Sequence, residues 1–209
     1  MSRARANDYD KKKNLILNKA AALIARKGFD QATMMDVAQA CNTSKSHIYH
    51  YFPKKEDLLY EIVHEHITQQ VADLQRIVAL PLSAEERFTQ FVDSFMQGAV
   101  RGRDEHIILM NDVKQLPRAQ LREIRALEVQ MAELLETVLV ELNPELMSPP
   151  EVHKPYTLLL YGMMIWTLTW YRKSGPLKPT ELAARIAHLL LHGFTAAPPA
   201  LSPETNQSA

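Results

Sequence analysis

Between positions 44 and 50 the chain has a short polar run whose side chains could form hydrogen bonds at a surface. Six of its seven residues carry a hydroxyl, an ammonium or an imidazole group, and Ile48 is the one aliphatic residue. Burial does not explain so polar a helix, because buried polar groups need partners of their own. A solvent-facing helix beside Lys54 and Lys55 is typical of an element that reads DNA.

Two short helices joined by a tight turn are predicted to position this run. Thr33 is a suitable N-cap for a helix through Ala40, and Asp36 at its third position favours the helix N-terminus. Asn42 tolerates the left-handed backbone that a tight turn requires. Ser44 then caps the second short helix. The pattern is that of a helix-turn-helix.

The charge distribution supports this interpretation. Residues 1–55 contain eleven Lys and Arg against four Asp and Glu, which is a net charge of +7. The remaining 154 residues carry −7, so the formal charge of the whole chain is zero. Such a division indicates a basic module that meets phosphates and an acidic body with a different task.

Composition excludes several other classes of protein. The 209 residues are 46% hydrophobic, enough for a substantial core, but no apolar run is long enough to span a membrane. The first residues lack the apolar stretch of a signal peptide, so we expect a cytoplasmic protein. Cys41 is the only cysteine, which excludes an intrachain disulfide and a cysteine-rich zinc site.

Helical periodicity runs through almost the whole chain, and no segment shows strand alternation. We therefore predict an all-α fold of about nine helices, with a three-helix N-terminal part and a longer helical body.

The first predicted helix, 10–27, places Leu15 on one face with its other apolar residues. Ser83 and Ser148 each begin a capping-box pattern at the start of a later helix. The predicted helices are 10–27, 33–40, 44–50, 54–78, 83–98, 104–113, 117–142, 148–171 and 180–192.

The residues around the second short helix resemble the tetracycline-repressor (TetR) family of bacterial regulators. The residues that carry the resemblance are Ser44, Lys45, Tyr49, His50, Tyr51, Phe52, Lys55, Glu56 and Leu58. Asn42 and Ser46 depart from the family pattern, which usually has glycine at the first position and glycine or another small residue at the second. The resemblance implies a DNA-binding domain at 1–55 and an effector-binding and dimerisation domain at 56–195. The tail at 196–209 lacks core-forming residues and is predicted to be disordered.

The position of each residue suggests its role on double-stranded DNA. Lys45, Ser46, His47 and His50 are expected to face the major groove. We expect phosphate contacts from the hydroxyls at the helix starts, the Tyr49 phenol and the Lys55 ammonium. The N-terminal Arg3, Arg5 and Lys11 to Lys13 are expected to follow the DNA backbone or an adjacent minor groove. The predicted DNA-binding residues are Thr33, Thr43, Ser44, Lys45, Ser46, His47, Tyr49, His50 and Lys55.

In the resembling family a homodimer binds a palindromic operator, and the last two long helices form the interface between the copies. Here those helices, 150–171 and 180–192, are apolar around much of their circumference, which indicates a second buried face. The family's inducer cavity implies a ligand-binding cluster, although ordinary core packing is the alternative for each residue. The cluster comprises Phe88, Phe91, Phe95, Met96, Met110, Met131, Met163, Trp166 and Trp170.

The stretch from Trp166 to Leu177 resembles the branch of the family that senses acyl-CoA or aryl-CoA thioesters. Arginines that could bind the CoA phosphates are Arg101, Arg103, Arg118, Arg122 and Arg125, and a solvated helix face is their alternative role. A regulator of an efflux system that senses a hydrophobic compound is the alternative within the family.

Functions other than transcriptional regulation have less support in the sequence. The chain lacks a glycine-rich phosphate loop, a nucleophile elbow and an H-E-x-x-H motif, so we predict neither an enzyme nor a cofactor. His64 and His66 are separated by two positions and diverge on a helix, which disfavours a metal site. Cys41 as a redox sensor and a module that has lost DNA recognition are the remaining alternatives.

Overall fold

The computed structural model describes the backbone of residues 2–194 and the side chains of residues 8–193. Within residues 2–194 it contains nine α-helices, one 3₁₀ turn and no strand, which confirms the predicted all-α fold. The predicted disordered tail lies outside the described residues. No helix of the described part is long and apolar enough to cross a membrane.

Three helices form the N-terminal part. They are α1 (Ser2–Lys27), α2 (Met34–Ala40) and α3 (Lys45–Tyr51). α1 packs on α2 and on the helix that follows α3, residues 55–78, and α2 packs on α3. The prediction that Leu15 faces inward is wrong, because it is 47% exposed and Leu17 is buried instead. Leu15 directly precedes the buried Ile16, so its side chain lies about 100° around the helix from that of Ile16 and faces solvent.

In the body, five α-helices and one 3₁₀ turn surround α5 (Ala84–Arg101). They are α4 (Lys55–Val78), α6 (Arg103–Asn111), the 3₁₀ turn (Val113–Gln115), α7 (Arg118–Leu142), α8 (Pro150–Trp170) and α9 (Pro179–Phe194). α5 contacts α4, α6, α7, α8 and α9, and is the central helix. Its apolar residues recur at helical spacing, so the whole stripe is buried.

The two capping-box predictions of the body have different outcomes. Ser83 caps α5, because its hydroxyl accepts from the Glu86 backbone and the Glu86 carboxylate accepts from the Ser83 backbone. Ser148 does not cap α8, whose N-cap is Pro149 without a side-chain hydrogen bond. Pro150 occupies the first helical position, where its missing N–H is not needed.

Two contacts join the N-terminal part to the body at the loop after α1. The Asp112 carboxylate accepts a hydrogen bond from the Phe29 backbone N–H at 3.2 Å. Gln115 Nε2 donates to the Asp30 carboxylate at 3.3 Å. These contacts place the end of α6 and the 3₁₀ turn directly against the loop that leads into α2.

Candidate nucleic-acid interface

Thr33 is the N-cap of α2, as predicted, and it forms a capping box with Asp36. The Thr33 hydroxyl accepts from the Asp36 backbone N–H at 3.1 Å, and the Asp36 carboxylate accepts from the Thr33 N–H at 3.0 Å. These hydrogen bonds lower the pKa of the Asp36 carboxyl, with a smaller contribution from Lys27 3.5 Å away. The start of α2 is therefore fixed by residues next to it in sequence.

The turn between α2 and α3 is a Schellman motif centred on Asn42. Asn42 has φ of 51°, which confirms the prediction of a left-handed residue in this turn. Its N–H bonds to the Gln39 carbonyl at 3.1 Å, and the Thr43 N–H bonds to the Ala38 carbonyl at 2.9 Å. Both bonds satisfy carbonyls that the end of α2 leaves free and fix the direction of the chain as it enters α3.

α3 is a short helix with one buried anchor. Ser44 is its N-cap and accepts from the His47 backbone N–H at 3.2 Å. Ile48 is fully buried, and the following Phe52 is 2% exposed, as predicted for core residues. The polar side chains are therefore presented to solvent along one side of the helix. Among the predicted DNA residues, the exposed ones are Thr33, Ser44, Lys45, Ser46, Tyr49 and His50, and the half-buried ones are Thr43, His47 and Lys55.

A group of aromatic rings supports this helix from α1. Tyr9 stacks on Tyr51 with ring centroids 4.6 Å apart, and the rings of His47 and His50 meet Tyr51 edge-on. Lys45 Nζ lies 5.5 Å from the centroid of the Tyr49 ring. Tyr51 was predicted to be core, and it is half-buried with this supporting role. Sequence reasoning missed Tyr9, because its partner is 42 positions away in the chain.

Lys55 differs from its prediction as a phosphate-binding residue. Its ammonium donates to the carbonyl oxygens of Phe29 at 2.8 Å and Ala32 at 3.1 Å, and lies 4.1 Å from the centroid of the Phe29 ring. Because these two carbonyls and the ring hold its ammonium, Lys55 stabilises the loop between α1 and α2. The neighbouring Lys54 is exposed and is the cation at the start of α4 that faces solvent.

The lysines of α1 are also partly engaged within the protein. Lys13 pairs with Glu61 of α4 at 2.7 Å, and Lys12 pairs with Asp8 one turn earlier at 2.8 Å. The first pair links α1 to α4 and raises the pKa of the Lys13 ammonium. Lys13 is therefore a link between helices rather than a free phosphate contact, while the side chains of Arg3 and Arg5 lie outside the described residues.

The predicted ligand-binding residues fall into two groups that the structure does not bring together. Phe88, Phe91, Phe95, Met96 and Met131 are buried in the core. Met110, Met163, Trp166 and Trp170 are exposed, and Trp166 reaches 68%. Within the described side chains, neither group lines the surface cavities beside Gln70, Arg76, Arg122 and Arg185.

The arginines considered for CoA phosphates are divided in the same way. Arg118, Arg122 and Arg125 line a shallow groove of about 660 Å³ along α7, together with Leu121 and Val129. Arg103 instead donates to the Leu168 carbonyl at 3.2 Å, and Arg101 lies near Asp73 at 4.0 Å. One face of α7 thus combines three guanidinium groups with the exposed side chain of Val129 and the half-buried Leu121. The Arg125 guanidinium also donates to Glu128 at 2.5 Å.

Comparisons with known proteins agree with this arrangement. Residues 16–62 match the family described as bacterial regulatory proteins, tetR family. Residues 81–194 match the tetracyclin repressor-like C-terminal domain, and this match alone covers more than half of the chain. Both the helix-turn-helix and the helical body are therefore accounted for by one family.

Individual relatives give the same picture. The HTH-type transcriptional repressor KstR2 of Mycolicibacterium smegmatis is 23% identical over 186 residues, 86% of this chain and 89% of the relative. A TetR-family regulator from Bordetella parapertussis has a crystal structure with a TM-score of 0.84 and 29% identity, covering 90% of this chain and 98% of that one.

A third relative has been solved with its ligands. AibR in complex with isovaleryl coenzyme A and operator DNA has a TM-score of 0.76 and 23% identity, covering 86% of this chain and 98% of that one. At this identity the likeness shows the fold. Members of the matched family are regulatory proteins and not enzymes. The chain belongs to the TetR family of bacterial transcriptional regulators.

Proposed function

We propose that this protein is a homodimeric repressor that binds a palindromic operator and releases it when a small effector binds. The observation that carries the proposal is α3, a capped helix with one buried anchor and a solvent-facing row of polar side chains. Repression is supported by the KstR2 relatives, which are described as transcriptional repressors. Residues 1–55 form the DNA-binding domain, residues 56–195 form the body, and the protein acts in the cytoplasm, where its DNA is.

On the operator, the side chains of α3 have two kinds of task. Lys45, Ser46, His47 and His50 contact base edges, and Tyr49 contacts a phosphate. Phosphates are also held at the helix starts, by the hydroxyls of Thr33, Thr43 and Ser44. Lys54 supplies the cation at the start of α4, while Lys55 acts indirectly by holding the loop before α2.

The dimer interface is formed by the exposed apolar side of α8 together with α9. Exposed apolar side chains of this kind are too large and too close together to be ordinary surface. They are Leu158, Leu159, Met163, Trp166 and Trp170 of α8 and Leu189 of α9. A twofold axis through this face holds the two recognition helices at a fixed separation. A palindromic site requires such a separation, because its half-sites lie about one helical turn or more apart.

The effector is an acyl-CoA or aryl-CoA thioester. Arg118, Arg122 and Arg125 offer planar guanidinium groups for its phosphates, and Leu121 and Val129 offer apolar contacts beside them. The complex of AibR with isovaleryl coenzyme A is a precedent in a protein of this fold.

Release follows from a shift between two states of the dimer. An effector that prefers the state with the wrong separation of the recognition helices lowers operator affinity. A difference of about 1–3 kcal/mol between the two states is enough for a useful switch. Asp112 and Gln115 are the contacts through which movement of α6 reaches the loop before α2.

Alanine variants of three lysines test the DNA-binding assignment on an operator selected from random duplexes. Lys45→Ala lowers affinity by about 1–3 kcal/mol, or roughly 5- to 150-fold, because a base contact is lost. Lys54→Ala weakens binding by a similar factor on every DNA sequence, because a phosphate contact is lost. It also reduces the slope of log affinity against log salt concentration by about 1. Lys55→Ala lowers the free energy of unfolding by about 1.5–3 kcal/mol, because charge-assisted hydrogen bonds are lost. Fluorescence anisotropy and urea unfolding measure these effects.

Lys173→Ala is the matched control for the three variants, since Lys173 is an exposed lysine in the turn after α8. It should leave both affinity and stability at the wild-type values. Wild-type operator affinity in Lys45→Ala would refute the assignment of α3 as the DNA-reading helix.

The effector class is tested with isovaleryl-CoA and free CoA on the protein–operator complex. Isovaleryl-CoA is expected to release DNA, and the double variant Arg122→Ala/Arg125→Ala should need at least about tenfold more of it, because phosphate contacts are lost. Release by a neutral hydrophobic dye but not by isovaleryl-CoA would replace the thioester with the efflux-type alternative.

A further inference from the structure

A cavity of about 280 Å³ lies where α1, α4, α5 and α6 meet. Its lining includes Asn18 of α1, His66 and Gln70 of α4, Gly98 of α5 and Glu105 of α6. We refer to it as the junction cavity. It is separate from the α7 groove and from the aromatic core of α5, and it touches both the N-terminal part and the body.

Gln70 is the buried polar group of the junction cavity. Its side chain is 4% exposed, and within the described residues neither Oε1 nor Nε2 has a hydrogen-bond partner. Gly98 is close to this amide, since a Cβ at that position would lie 3.2 Å from Gln70 Nε2. A buried amide without partners costs about 1–3 kcal/mol for each unsatisfied group. The chain thus carries an unfavourable buried amide in the wall of a cavity.

Two neutral histidines lie beside this amide. His66 Nε2 and His106 Nδ1 are 3.3 Å apart, which allows one hydrogen bond between the rings. Burial lowers the pKa of His66 to about 4, and burial together with the neighbouring His66 lowers the pKa of His106 to about 3. Both rings are therefore uncharged at pH 7. Gly102 makes room for the His66 ring, because a Cβ there would lie 2.6 Å from His66 Nδ1.

The rim of the junction cavity carries charges of both signs. Its carboxylates are those of Glu65, Asp73 and Glu105. Asp73 accepts from Arg76 and lies 4.0 Å from Arg101, and Lys13 lies 3.9 Å from Glu65. Because these cations offset the carboxylates, the donors and acceptors of the cavity wall, rather than the charge of the rim, distinguish an amide from an anion.

We infer that the junction cavity binds a small uncharged ligand through a carboxamide or lactam edge. The Gln70 side chain turns towards the cavity to do this, because its oxygen and nitrogen are buried and have no partner within the described residues. Its C=O and N–H then match the N–H and C=O of such an edge in a pair of hydrogen bonds. His66 adds a neutral ring at the wall, and a carboxylate is disfavoured because it has no N–H to donate to the Gln70 oxygen. The site is independent of the proposed thioester site, whose ligand is anionic and whose residues lie on α7.

Isothermal titration of the full-length protein, without DNA or thioester, tests this inference. The probes are nicotinamide and 2-pyrrolidone, and nicotinate is the matched anion that differs from nicotinamide in one group. Nicotinamide is expected to bind with a millimolar or lower Kd, at least about tenfold tighter than nicotinate. Failure of both uncharged probes to bind, or equal binding of nicotinamide and nicotinate, overturns the inference.

Two variants identify the amide responsible. Gln70→Met keeps the shape of the side chain but removes its hydrogen-bonding groups, so nicotinamide binding should be lost while thermal stability is retained or increased. Gln75→Met is the matched control on the exposed part of α4, outside the cavity lining, and should bind as wild type. Unchanged binding in Gln70→Met would mean that the amide is satisfied by water only, and would overturn the inference.

A readout in the wild-type protein does not depend on how the variant folds. The ring ¹⁵N resonances of His66 should shift with nicotinamide and stay in place with nicotinate. Resonances that do not respond to bound nicotinamide would place the ligand elsewhere. Because neither measurement uses an operator, failure of this inference leaves the proposed DNA-binding function standing, and failure of that function leaves this inference testable.

Discussion

α3 and α8 depart from the usual amphipathic helix in opposite directions. α3 has seven residues and one buried apolar anchor, and its polar side chains are exposed as their chemistry requires. α8 has 21 residues and exposes large apolar side chains, with Trp166 at 68% and Leu159 at 65%. A helix too polar to be buried and a helix too apolar to be exposed both indicate a partner. For α3 the proposed partner is the polyanion DNA, and for α8 it is the matching apolar face of a second copy.

The two regions also differ in what fixes their structure. Around α3 the decisive contacts are local, since Thr33, Ser44 and Asn42 each bond to backbone within four residues. In the body the decisive contacts join distant parts of the chain, as in the hydrogen bond from the Tyr161 hydroxyl to the Met131 carbonyl at 2.7 Å. A substitution should therefore act on one local turn in the first region and on the whole packed core in the second.

The largest effect is expected for Phe91→Ala. Phe91 is fully buried in α5, so removing the ring should lower the free energy of unfolding by about 3–5 kcal/mol, independently of protein concentration. Trp166→Ala is the comparison in α8, where any loss should depend on concentration because it acts through dimerisation. Urea unfolding at two protein concentrations separates them. A cost below about 1 kcal/mol for Phe91→Ala would show that Phe91 is not core.

The same contrast explains how far sequence reasoning reached. The caps at Thr33, Ser44 and Ser83 could be predicted because each acts within its own turn of helix. The role of Lys55 could not, since its partners Phe29 and Ala32 are brought to it by the packing of α1 and α4.

The predicted ligand cluster shows the limit most clearly. Composition alone does not distinguish a buried methionine such as Met96 from an exposed one such as Met163, because both occur on apolar helices. The sequence did not indicate that Gln70 and His106 are buried either, since glutamine and histidine are common on exposed helix faces. Only packing reveals that these two polar residues are buried.

A second, smaller effect is expected on acidification. The pKa of His66 is lowered to about 4 and that of His106 to about 3, below the ordinary value of 6.5. As pH falls through 6.5, the unfolded chain takes up protons that the folded protein does not, so the free energy of unfolding decreases towards pH 4. We expect a loss of about 2 kcal/mol between pH 6.5 and pH 4.5 for each of the two buried rings.

Urea unfolding at several pH values measures this loss, with His66→Gln and His106→Gln as the informative variants. Each should flatten the dependence on pH, since one buried titrating ring is removed. A wild-type slope that persists in both variants would assign the acid sensitivity to other groups.

The smallest effect is expected at Asn42, where the local character of the helix-turn-helix can be tested directly. Its φ of 51° is unfavourable for alanine and free for glycine. Asn42→Ala should therefore lower the free energy of unfolding by about 1 kcal/mol, while Asn42→Gly should leave it within about 0.5 kcal/mol of wild type. Gln39→Ala, at an exposed position of α2, is the control for side-chain removal. If Asn42→Ala costs no more than this control, the turn does not depend on a left-handed residue, and longer-range contacts such as that of Tyr9 with Tyr51 must orient α3 instead.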